Sequence, residues 1–232
     1  MKLKYTKWDD VSLGLYKKLA EISTDESLGA DEKQVEIAAV LCDCKPEDIW
    51  NMGMTDAKAL FAQLAWVNDF KPDFNKSLKK SYILNGTEYK VSLDINEMSV
   101  AGYVDFQNYY GEGIDKNNMA EILSCFLIPK GHKYNEGYDV AQVIDDINGY
   151  LPFPEAQRIC FFFLRKQAAS LKAIQIYSTW MLKKEMRKVK EPQKKAELQK
   201  KIKETEALYG QLFWMKFLKL RERHGTQSGI TQ

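Results

Sequence analysis

The sequence predicts a mainly α protein: a helical domain with one small β-hairpin and a long C-terminal helical hairpin. Three observations carry that reading. Residues Pro154 to Lys190 contain neither glycine nor internal proline. At 1.5 Å per residue such a stretch makes a rod of roughly 55 Å. Asn85-Gly86 lies between two runs rich in aromatic and β-branched residues, and it is the clearest β signal in the chain. Elsewhere apolar residues return every three or four positions behind Ser, Thr or Asp, as in capped amphipathic helices.

Taken in order, Ser12 caps a first helix to about Ile22, with Leu15, Leu19 and Ile22 on one side. Asp31 to Leu41 forms a second, carrying Val35, Ala38 and Leu41. Pro46 opens a turn. Thr55 is expected to cap a helix running to Phe70 with Leu60, Phe61, Leu64 and Val67 as its apolar stripe, and Pro72 follows it. YILNGTEYKV then predicts a hairpin over about 81–93, because Asn-Gly supplies the positive φ angles of a type I′ turn. A lone hairpin is marginal in water, so it must pack on helices. Ser99 caps the next helix, which ends at Gly111 and Gly113. Asn118 starts another, in which Met119, Ile122, Leu123, Phe126 and Leu127 fit the apolar template up to Pro129. Asp139 caps DVAQVIDDIN, and Gly149 stands at the expected C′ position.

Pro154 suits the first turn of the long helix. Cys160, Leu164, Gln167, Leu171, Ile174, Ser178 and Met181 follow a 4-3-4-3 spacing along one face. Ile159, Phe161, Phe162, Phe163 and Leu164 are apolar all round, which predicts burial of the first turns on every side. Pro192 breaks the charged stretch, and helix resumes from Gln193 to about Arg221. The expected division is a helical body over 1–153, a helical hairpin over 154–222 with its start buried in the body, and a flexible tail over 223–232.

The chain has 232 residues, enough for a sizeable core. Its apolar and charged shares are those of a globular protein. Cys42, Cys44, Cys125 and Cys160 are too few and scattered for a disulfide scaffold, which favours free thiols in a reducing compartment. The N-terminus lacks a signal-peptide apolar core, and no apolar run approaches a membrane span. The expectation is an intracellular protein with no membrane partner. Net charge is +2, but Lys183 to Arg223 hold 14 Lys and Arg against 6 Asp and Glu, or +8, leaving −6 for the rest. A basic arm on an acidic body suits an acidic partner or nucleic acid.

Candidate chemistry is sparse. His132 and His224 have no metal-ligand spacing from a cysteine, and Cys42 and Cys44 are one residue apart, unlike a zinc pair. Asp145-Asp146 and Asp9-Asp10 are adjacent, so their side chains diverge on a helix. Gly111-Glu112-Gly113 reads as a helix stop. No P-loop, dinucleotide glycine motif or nucleophile elbow occurs. Trp66, Phe70, Tyr103, Phe106, Tyr109 and Tyr110 sit at helical spacing beside apolar residues, as core aromatics do. No catalytic residue, metal or cofactor is expected.

ILNGTEYKVSLDINEMSVAGYVDF, then AEILSCFLIPKGHKYNEGYDV, then a helix opening ICFFFLRK together resemble proteins encoded among the structural genes of tailed bacteriophages, especially phages of Bacteroidetes-type hosts. Several of these are tail assembly chaperones or virion-assembly proteins. The resemblance covers about Lys4 to Lys166. It implies a non-enzymatic role in building a virion, with phage structural or tail proteins as partners, in the host cytoplasm during assembly or in the virion itself. An apolar helical surface would mask a partner until assembly or dock in the particle.

Two surfaces in the arm are the candidate sites. Tyr209, Phe213, Trp214 and Phe217 are spread over a wide arc, and such aromatics anchor interfaces with a partner or with a second copy. Lys183, Lys184, Arg187, Lys188, Lys194, Lys195, Lys200, Lys201 and Lys203 form a basic surface. The alternative to an assembly protein is a nucleic-acid-binding or packaging accessory protein using that surface.

Overall fold

Side chains that satisfy first-turn N–H groups set several of the helix starts. Ser12 Oγ accepts from Leu15 N at 3.3 Å, Ser99 Oγ from Gly102 N at 3.1 Å, and Asp139 Oδ1 from Ala141 N at 2.9 Å. The structure, a computed structural model, describes residues 1–74, 76–94, 98–111, 113–189 and 191–207, with backbone alone at 167, 168, 170 and 171. Its helices are α1 (Leu13–Thr24), α2 (Ala30–Cys42), α3 (Pro46–Trp50), α4 (Met54–Ala62), α5 (Val100–Tyr110), α6 (Met119–Ser124), α7 (Val140–Tyr150), α8 (Phe153–Lys188) and α9 (192–207). Strands β1 (Ser81–Leu84), β2 (Thr87–Val91) and β3 (Leu127–Pro129) form one antiparallel sheet in that order. The protein is mainly α. The chain divides into two compact units, residues 1–162 and 163–232.

In the first unit the hairpin turns where the sequence places it. Asn85 and Gly86 have φ of 48° and 80°, both positive as a type I′ turn requires, and Leu84 faces Thr87 across it. The third strand is a correction to the expected lone hairpin. The helix beginning near Asn118 stops at Ser124 rather than Pro129, because the next residues pair with the sheet. Ser92 N donates to Phe126 O at 2.9 Å and Lys130 N to Glu88 O at 2.8 Å. Sheet pairing overrides the helical apolar pattern, and Pro129 fits an edge strand.

Two other boundaries also differ. Gly53, not Thr55, precedes α4, which ends at Ala62; a short 3₁₀ turn over Ala65–Asn68 follows. The Trp66 carbonyl is occupied there by Trp8 Nε1 at 3.2 Å and Asp69 N at 3.1 Å. Gly149 lies inside α7. That helix is ended by a bridge between the segments before α1 and α8, where Leu13 N donates to Leu151 O at 2.9 Å and Phe153 N to Val11 O at 2.8 Å.

Apolar burial builds two clusters in this unit. One joins Leu3, Val11 and Leu19 to residues of α2, α3 and α4. The other joins the sheet to α6, α7 and the first turns of α8. Trp8 and Tyr16 pack against both clusters. The Trp8 ring meets Trp66, Phe70 and Phe153 with centroids 5.0 to 5.8 Å away, and Tyr16 stacks on Phe153 at 3.5 Å. Phe153, Ala156, Ile159, Cys160 and Phe163 are buried at the start of α8, but Phe161 and Phe162 are only half-buried. Burial on every side is therefore corrected. Phe161 instead lies over Phe74 at 4.3 Å.

Candidate functional site

Within the second unit α8 and α9 run as a pair. Gln175 Nε2 donates to Glu206 O at 3.5 Å, and Lys183 Nζ lies 3.7 Å from Glu206 Oε1. Glu206 thus sits opposite the turn of α8 around Thr179, which is buried, as is Ile202 on α9. The less exposed α8 positions here are Gln175, Ser178, Thr179, Leu182 and Met186. That is not the stripe read from the sequence, since Ile174 and Met181 are exposed. A 4-3-4-3 repeat drifts by about 20° per heptad on a straight α-helix. A seam begun at the buried Cys160 has accordingly rotated off the less exposed side of α8 by Ile174 and Met181.

The rotation leaves an apolar face open. At about 100° per residue, Tyr177 and Trp180 lie on the side of α8 opposite its less exposed positions, with Ile174 and Met181 toward one flank and Ile176 toward the other. Tyr177 is 62% exposed, Trp180 52% and Ile176 61%, far more than singly scattered surface aromatics need be. The Tyr177 and Trp180 rings are 6.2 Å apart, and Lys184 Nζ stands 4.9 Å from the Trp180 ring centroid. This cation–π contact fixes a charge at the edge of the apolar patch.

Lys183, Lys184, Arg187, Lys188, Lys194, Lys195, Lys200, Lys201 and Lys203 are all exposed. Four of the nine face a carboxylate: Lys183 with Glu206, Lys194 with Glu191, Lys200 with Glu204 and Lys201 with Glu197. The α9 charges are therefore partly offset along their own helix. Lys184, Arg187 and Lys188 on α8 have no carboxylate partner among the described residues. Tyr209, Phe213, Trp214 and Phe217 lie outside the described residues. Sequence reading missed Tyr177, Trp180 and Ile176. Their signal is the second apolar phase in IQIYSTWM.

Among the described residues the first unit buries two carboxylates, each tied to the sheet. Asp146 accepts from Tyr89 Oη at 2.5 Å, Asn85 Nδ2 at 3.1 Å and Gln142 Nε2 at 3.0 Å. Glu155 accepts from Tyr82 Oη at 2.7 Å, with Arg158 Nη1 at 2.7 Å and Lys79 Nζ at 3.4 Å. Arg158 Nε also donates to Asp73 O at 3.2 Å, which holds the segment before the sheet to α8. Burial pushes the Glu155 carboxyl up, but Tyr82, Arg158 and Lys79 together outweigh it and leave the group below its ordinary value. Burial pushes the Cys125 and Cys160 thiols up to about 12, so both are protonated packing groups at neutral pH.

Comparison with protein-family models, curated proteins and solved structures gives no match to this chain. Among the described residues no helix is long and apolar enough to cross a membrane, and no cluster of His, Cys, Asp and Glu could hold a metal ion.

Proposed function

We propose that the chain is a non-enzymatic assembly protein that binds other proteins through the second unit, as its resemblance to tailed-phage virion-assembly proteins implies. The observation that carries this reading is the open face of α8. Tyr177, Trp180 and Met181 offer an apolar centre, and Lys184, Arg187 and Lys188, which have no carboxylate partner among the described residues, offer a basic rim. Aromatic anchors inside a polar rim are the common anatomy of a protein interface. The basic rim steers toward an acidic protein surface, such as a phage structural or tail component met in the host cytoplasm or in the virion.

The second reading, nucleic-acid or packaging accessory, rests on the same lysines and the exposed rings, which could stack bases. The partial pairing of the α9 lysines with glutamates counts against it. Salt separates the two. Phosphate binding weakens steeply as salt rises, whereas an apolar interface persists. Full-length protein should retain purified virion structural proteins at high salt, and the double variant Tyr177→Ser/Trp180→Ser should lose them. Binding to DNA alone, abolished by salt, would contradict the assembly reading.

A further inference from the structure

The open face of α8 raises the question of what covers it. Pairing with the same face of a second copy is disfavoured by charge. From residue 163 to 188, α8 carries seven Lys and Arg against the single acid Glu185, and an isologous contact would set those cations against each other. The first unit is its electrostatic complement. Residues 1–162 hold 17 Lys and Arg against 26 Asp and Glu, a net −9, while residues 163–232 hold 17 against 6, a net +11.

Among the described residues of the first unit, the α3–α4 corner combines acid with exposed apolar surface. At the α3–α4 corner, Trp50 is 57% exposed and Met54 72% exposed. Glu47, Asp48 and Asp56 flank them in the sequence and are exposed, as are Lys45 and Lys58, which leaves the corner net acidic. The corner therefore sets two large apolar side chains in a net acidic surround, where the α8 face sets two aromatic rings and a methionine in a basic one. It also stands on short helices anchored by the buried Ile49 and Leu60.

We propose that the Tyr177–Trp180–Met181 face of one copy takes the Trp50–Met54 corner of a second copy. This rests on the reading of the face as a protein interface and names its occupant. The contact is heterologous, so a pair of copies retains one unused face and one unused corner, and further copies add into a ring or an open chain. The opposed charges of the two units supply attraction along the series and repel face-to-face pairing.

The test uses full-length chains altered at exposed positions, with far-UV circular dichroism to establish that each is folded. A face variant carries Tyr177→Ser/Trp180→Ser, and a corner variant carries Trp50→Ser/Met54→Ser. Sedimentation velocity over a concentration series should show self-association of the unaltered chain and about tenfold or greater weakening in each variant alone. An equimolar mixture of the two should form dimers that grow no further, because only one intact face and one intact corner can meet. Glu47→Lys/Asp48→Lys should likewise weaken association and recover it when mixed with Lys184→Glu/Arg187→Glu. A monomeric unaltered chain at every concentration, or a mixture without dimers, overturns the proposal. Loss of association in the face variant but not in the corner variant also overturns it, and leaves the α8 face as an interface with a different occupant.

Discussion

Asn85 Nδ2 donates to Asp146 Oδ1 at 3.1 Å across 61 residues of sequence. The hairpin turn is thereby fastened to α7, and Tyr89 on the second strand adds its hydroxyl to the same carboxylate. Asp146→Ala removes the acceptor of three side-chain donors in a buried site. It should destabilise the fold by about 1–3 kcal/mol, the cost of leaving buried donors unpaired. Urea unfolding of the variant checks this, and an unchanged midpoint would remove the fastening role.

Two glycines should respond to substitution for opposite reasons. A Cβ at Gly86 meets nothing within 4 Å, but the residue has φ of 80°. Gly86→Val should cost about 1–3 kcal/mol through backbone strain alone, and Gly86→Asn much less. A Cβ at Gly14 would stand 2.9 Å from the Asn148 carbonyl oxygen, where α1 meets α7. Gly14→Ala should destabilise by about 1–3 kcal/mol despite alanine's better helix propensity. Thermal melts of the three variants distinguish strain from crowding.

The three successive phenylalanines should separate. Phe163 is buried and Phe161 and Phe162 are half-buried. Phe163→Ala should cost about 3–5 kcal/mol, with smaller losses at the other two. Equal losses at all three would restore the all-round burial expected from the sequence.

Acid should weaken the tie around Glu155. A carboxyl held below its unfolded value stabilises the fold at pH above that value and loses the contribution as pH falls through the folded one. Glu155 is held below its ordinary 4.5, so this share of stability is complete at neutral pH and disappears on acidification below that range. Glu155→Gln should be less stable at pH 7 and should show a shallower fall in melting temperature toward acid. Glu155→Ala leaves the buried Arg158 charge without its partner and should cost about 3–5 kcal/mol.

What was legible in the sequence is what depends on neighbours in the chain. Ser12, Ser99 and Asp139 cap their helices because the N–H groups they accept from are two or three residues away. Asn85-Gly86 turns because two adjacent residues must take positive φ. What was not legible depends on distant partners. Leu127–Pro129 leaves a helical pattern to pair with β2, and α7 ends at a bridge to the segment before α1. The seam along α8 was not legible for a different reason. A 3.5-residue seam looks continuous on paper, but it rotates around α8 until Ile174 and Met181 leave its less exposed side. Tyr209, Phe213, Trp214 and Phe217 lie outside the described residues, and Tyr177 and Trp180 belong to a second apolar phase that the seam's spacing does not include.

The central claim is that the open face of α8 meets protein. It is tested most directly by placing a photo-crosslinking amino acid at position 177 of the full-length chain and irradiating it in cells that express the chain. The account predicts discrete protein adducts that persist at high salt and are lost when Trp180→Ser is added. Adducts to nucleic acid alone, or no adducts while a crosslinker at exposed position 83 gives them, would contradict it.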